Sequence, residues 1–273
     1  MGAHDGVRHD MAAWWKAGLL GLGLTVPSPV WAESDPGRDN IVLGALIAEF
    51  HLAIAVSLLA PETEADYSPE VIAGAAQLAR LTGAATPQAG ADKADLAAAL
   101  GAFLAFAATL PAEAKAPLSS AQARDFACQL IGADPVPFAA LGRVAGIDAA
   151  AASKCTRAFE AAAATWNERF SAYRLGPGLA PPADSGPLYV EIAPVFNPAN
   201  EPIADTLRES GLYDALAERL NAEMALPTGR VLLVTECGGT RAFFNPERRE
   251  VVLCDERIAA WIAATAATTA GAP

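Results

Sequence analysis

Apolar side chains fill the chain from Asn40 to Ala60, broken at the centre by Glu49 and His51 and stopped by Pro61. The run reads as a buried helix. A membrane span is the alternative, disfavoured by two ionisable groups at its middle. Beyond it the helix signals are regular. Ser68-Pro69-Glu70 is a cap followed by Pro at the first helical position, and Gly83 closes that helix. Thr86 to Ala91 reads as a loop, and Asp92 opens a helix that Pro111 ends. Ser119 or Ser120 caps another, carrying Phe126 and Cys128 and stopping at Gly132, and Asp134-Pro135 starts a short one through Leu141. Asp148 caps a long helix to about Ala172, where Cys155, Phe159, Trp166 and Phe170 recur at spacings of 4, 7 and 4. That spacing predicts one apolar face, which is core packing.

The pattern then changes. Arg174 to Pro187, rich in Gly and Pro, reads as a linker. Leu188 to Ile192 reads as a strand, Ile203 to Ser210 and Leu212 to Met224 as helices, and Val231 to Cys237 and Glu250 to Cys254 as strands. Arg257 to Ala267 forms a terminal helix. Within this part, Glu236 to Glu256 reads as a two-stranded unit with a Cys on each strand and the turn Asn-Pro-Glu-Arg-Arg between apolar runs. The apolar fraction is 53%, much of it Ala, which favours helix. The expected fold is α+β, with a predominantly helical part over 33–175 and a smaller part over 186–273, a small sheet plus helices.

Residues 1–32 read as a signal peptide with an upstream extension. Met11 is a plausible start, Ala17 to Val26 is the apolar stretch, and Val30-Trp31-Ala32 offers a small residue at the cleavage position. An uncleaved anchor is the alternative, for which the stretch is short. Cleavage removes two basic and two acidic residues, so the net charge stays −12. No basic stripe is present, which excludes nucleic acid as an expected partner. The expected location is the bacterial periplasm or outside the cell, with no stable membrane span after cleavage. All four cysteines, Cys128, Cys155, Cys237 and Cys254, follow the cleavage point, and an even count in an exported chain suggests two disulfides. Four cysteines allow three pairings. A four-Cys zinc site lacks any Cys-x-x-Cys spacing.

Three blocks carry a family resemblance. Leu226 to Glu256, with Glu236-Cys237-Gly238, Ala242-Phe243-Phe244 and Cys254-Asp255-Glu256, resembles the C-terminal motif of a bacterial envelope family called putative metallopeptidases, a domain of unknown function. Phe126 to Asp134, with Phe138, Ala145-Gly146, Cys155 and Trp166 downstream, resembles a second segment of that family. The family's cysteines at all four positions imply the local pairing, Cys128 with Cys155 and Cys237 with Cys254, each clipping neighbouring elements. The first block, Asn40 to Asp66, is where the family carries His-Glu-x-Gly-His on a helix. Two His four apart share a helix face and can both reach zinc, with the Glu as general base.

This sequence departs from that pattern at its centre. A frame anchored on Pro61 keeps Glu49 and loses both His, whereas one anchored on Asn40 keeps His51 as the second His and loses the rest. Of three histidines, His4 and His9 precede the cleavage point and only His51 follows it. The resemblance with this departure implies a non-catalytic relative, a pseudoenzyme without a cofactor that binds a protein or peptide in an inherited cleft. The rival is an active zinc metallopeptidase with ligands reassigned to His51, Glu62 and Asp66 and with Glu49 as base. A purely structural envelope protein is a third option. Glu256 is a candidate cleft residue, or a helix N-terminal acid favoured by the dipole.

Overall fold

A computed structural model describes residues 36–59, 67–84, 91–111, 116–133, 142, 145–176, 178–239 and 242–270. The expected signal peptide, the short helix from Asp134, Glu62 and Asp66 lie outside them. Five helices come first: α1 (Pro36–Leu59), α2 (Pro69–Leu81), α3 (Ala91–Thr109), α4 (Ser120–Ala133) and α5 (Ala149–Phe170). Their starts follow the side-chain caps. Ser68 Oγ accepts from Val71 N and Asp148 Oδ1 from Ala151 N. Ser119 and Gln122 exchange hydrogen bonds, each backbone N–H donating to the other's side chain.

The apolar α1 is the centre of the molecule. It packs on α2 and α3 and reaches the sheet. It is long and apolar enough to cross a membrane, yet most of it is buried by its neighbours. Gly44 permits the α1–α3 approach, because a Cβ there would sit 2.0 Å from the Ala99 carbonyl oxygen. Gly132 does the same between α4 and α5, where a Cβ would lie 2.4 Å from the Cys155 carbonyl oxygen, beside the Cys128–Cys155 disulfide. The aromatic stripe of α5 is buried as its spacing predicts: Phe159, Trp166 and Phe170 all face the core.

The C-terminal part contains β1 (Ser185–Gly186), β2 (Leu188–Ile192), α6 (Glu201–Ser210), α7 (Leu212–Glu223), β3 (Leu226–Pro227), β4 (Arg230–Thr235), β5 (Ala242–Asn245), β6 (Glu250–Cys254) and α8 (Asp255–Ala270). The main sheet has the order β2-β4-β6-β5, parallel except for the β5–β6 hairpin. Asn245 Oδ1 closes the hairpin turn by accepting from the N–H groups of Glu247 and Arg248. Leu232, Val234, Val251 and Leu253 are buried in the one core that also holds the α1 residues.

Two details differ from the sequence expectation. Cys237 is not on a strand: β4 ends at Thr235 and the cysteine lies in the loop beyond it. Glu256 draws the chain aside there by accepting from the N–H groups of Cys237 and Gly238, at 3.2 and 2.9 Å. The stretch Arg174 to Pro187 is also not wholly irregular, since Ser185–Gly186 pairs with Leu226–Pro227 and Arg174 bridges to Met224.

Candidate functional site

Glu49 and His51 lie on α1 where the chain is most deeply packed, at 1% and 0% exposure. A buried carboxylate is tolerated only when its oxygens are paired. Two segments supply the partners. From α8, Arg257 Nε donates to Glu49 Oε2 at 2.5 Å, and Trp261 Nε1 donates to Oε1 at 2.8 Å. From just before α2, Tyr67 Oη donates to Oε2 at 3.0 Å. Arg257 also donates to the Pro117 carbonyl and lies 4.6 Å from the centre of the Tyr67 ring.

The electrostatics follow from this packing. Burial pushes the Tyr67 hydroxyl well above its ordinary range, so it stays a donor. Burial opposes the charge on Arg257, but Glu49 and Tyr67 outweigh it and hold the guanidinium above its ordinary value. The space beside Glu49, lined by Val42, Leu46, Ile258, Trp261 and Ile262, has no room for a water molecule.

His51 points elsewhere, two residues along the same helix. Its Nδ1 lies 2.7 Å from the Ile47 carbonyl oxygen and its Nε2 lies 2.9 Å from Thr82 Oγ1. Burial lowers its pKa to about 4, so the ring is neutral. The carbonyl can only accept, which places the proton on Nδ1; Nε2 then faces the Thr82 hydroxyl, whose single proton the Ala79 carbonyl oxygen also draws at 3.1 Å. Glu49 and His51 do not converge, and this donor set does not fit a catalytic zinc: the carboxylate is saturated by donors and the buried imidazole turns away from it towards Thr82.

Glu256, the other sequence candidate, holds the Cys237 turn rather than Glu49. Its carboxylate and the sulfurs of Cys237 and Cys254 lie within 4.8 Å of one another. The sulfurs are bonded to each other, so neither is a free thiolate for a metal. Beside this turn, Asp255 is buried with Oδ1 unpartnered among the described residues. Desolvation, then Glu256 and Glu236, raise its pKa to about 6 against the opposing pull of Arg208. Glu236 accepts from the N–H groups of Phe196 and Asn197 and from the Asn200 amide, tying the loop after β2 to the end of β4.

Sequence reasoning missed the partners of Glu49. A signal was present. Arg257 and Trp261 are four apart on an Ala-rich helix, so they share a face, and an Arg on an inward face needs an anion. Residues 193–270 match the model of a family described as "Putative metallopeptidase". No curated protein and no solved structure matches the chain.

Proposed function

We propose that this chain is a non-catalytic relative of the metallopeptidase-like family, exported and acting by binding a protein or peptide. The observation that supports this reading most is the environment of Glu49. A general base needs a lone pair aimed at a water, whereas both oxygens of Glu49 are engaged by Arg257, Trp261 and Tyr67, with no water-sized space beside them. The carboxylate serves as a counter-ion joining α8 to α1. His51, as a neutral and doubly engaged ring, serves packing between α1 and α2. Two disulfides fit an oxidising compartment and hence export. Binding suits a scaffold that keeps the family's C-terminal part without its chelating pair.

The test is direct. Purified chain lacking residues 1–32 is incubated with a diverse peptide mixture, with and without added zinc, and the products are read by mass spectrometry. No cleavage and no stoichiometric zinc are expected. Cleavage that stops with a chelator, returns with zinc and is lost in His51→Ala would establish the rival enzyme with His51, Glu62, Asp66 and Glu49 in its centre.

A further inference from the structure

We infer that the outer edge of β2 is a docking site for an extended, basic segment of another polypeptide, which would add a strand to the sheet. This rests on the binding role proposed above and gives it a location. A parallel ladder uses the backbone groups of alternate residues. Pro187 accepts from Arg230 and Ala193 donates to Val234, so the odd-numbered residues of β2 face β4 and Leu188, Val190 and Ile192 face outward.

The first of these is already satisfied in an informative way. The Asn221 side chain, reaching from α7, accepts from Leu188 N and donates to Leu188 O, both at 2.8 Å. One amide group thus makes the pair of bonds that a residue of an antiparallel neighbouring strand would make with its own N–H and C=O. The edge ends at Ala193, whose carbonyl accepts from Arg208 of α6. Between these two stops, the N–H and C=O groups of Val190 and Ile192 have no protein partner among the described residues. An open edge between two closed ends is a template two hydrogen-bonded residues long.

The side chains select the occupant. Tyr189 is 63% exposed and Glu191 is exposed, and alternation puts both on the same side of the strand. A second copy of this chain is disfavoured. The antiparallel register that uses both Val190 and Ile192 sets Val190 opposite Ile192 of the other copy, which brings the two Glu191 side chains face to face. The net charge of −12 on each copy adds to that repulsion. An incoming strand with Lys or Arg opposite Glu191 and an apolar or aromatic residue opposite Tyr189 has complementary charge and contact.

The experiment uses three fluorescein-labelled seven-residue probes on the chain lacking residues 1–32. The first is Thr-Val-Thr-Lys-Thr-Val-Thr, the second has Glu in place of Lys, and the third is the first probe N-methylated at alternate amides so that one edge cannot donate. Saturable anisotropy is expected for the Lys probe, with at least about tenfold weaker binding of the other two, since two or more hydrogen bonds or a charge pair are lost. Val190→Pro should weaken the Lys probe by a similar factor with the ladder to β4 kept, because that N–H makes no ladder bond; the lost packing of Val190 lowers the melting temperature without unfolding the chain at the assay temperature. Glu191→Lys should reverse the preference between Lys and Glu probes. Binding indifferent to N-methylation, or no binding of any probe, overturns the proposal, and the N-methylated probe decides alone if Val190→Pro fails to fold. A dimer in light scattering that Val190→Pro converts to monomer also overturns it, by assigning the edge to a second copy. Mass spectrometry of the bound probes separates the two ideas: cleavage defeats the non-catalytic reading and leaves the edge to be judged by the variants.

Discussion

The centre of α1 and the rim of the C-terminal sheet treat polar groups in opposite ways. Around Glu49 both carboxylate oxygens are engaged inside the protein, by Arg257, Trp261 and Tyr67, and there is no room for a water molecule beside them. On β2 the backbone of Val190 and Ile192 has no partner among the described residues, and the exposed Tyr189 and Glu191 flank it. The family match covers only 193–270, which includes β3 to β6 and α8 and leaves out both α1 and β2. A site that exchanges ligands must keep some polar capacity unspent, and here that capacity sits on the rim. The difference teaches that α1 spends its buried polar groups on holding neighbouring elements together.

The largest effect should come from breaking the closed site. Glu49→Met removes the carboxylate to which Arg257 donates and should cost about 3–5 kcal/mol. Adding Arg257→Met removes the buried positive charge as well, and the double variant should be more stable than either Glu49→Met or Arg257→Met alone. Chemical denaturation of these three variants beside the wild type reads this. If the single variants unfold at the wild-type midpoint, Glu49 is not the clamp described here. Next come the two disulfides. Cys128→Ser with Cys155→Ser, and Cys237→Ser with Cys254→Ser, should each cost about 3 kcal/mol, since the closed loops are of similar length at separations of 27 and 17 residues. The comparison sharpens with the edge probes: the second pair holds the end of β6, so a loss of Lys-probe binding confined to that variant would link the disulfide to the sheet rim.

Much of the fold was legible in the chain because its signals are local. Ser68, Asp148 and the Ser119/Gln122 pair mark helix starts by bonds within one turn, and Leu188 to Ile192 and Glu250 to Cys254 coincide with β2 and β6. The absence of a chelating pair near Glu49 was also legible, from the residues present. The role of Glu49 was not, because its partners lie 18, 208 and 212 positions away and no local spacing encodes such a meeting. Cys237 was misplaced onto a strand for a similar reason. The turn that removes it from β4 is fixed by Glu256, which follows β6, and by Gly238 at a φ of 69°.

The smallest effects, and the most discriminating, are those of pH. His51 is held neutral with a pKa of about 4, below its ordinary 6.5, so the unfolded chain takes up the proton first. Its contribution is present above about pH 6.5 and is lost as pH falls towards 4. Asp255 has the opposite sign. Its pKa of about 6 lies above the ordinary 3.8, so the folded chain binds the proton more tightly and stability is lost as pH rises towards 6. Between about pH 4 and about pH 6 the two slopes oppose each other, each at most about 1.4 kcal/mol per pH unit. Urea midpoints of His51→Gln should therefore fall as pH rises through this window, and those of Asp255→Asn should rise. The wild type should lie between them. The contrast returns to the two regions: His51 reports on the closed α1 packing and Asp255 on the acid cluster at the sheet end, where Glu236 and Glu256 surround it. If both variants keep the wild-type slope, neither buried group is titrating as its surroundings dictate, and the electrostatic distinction between the two regions fails.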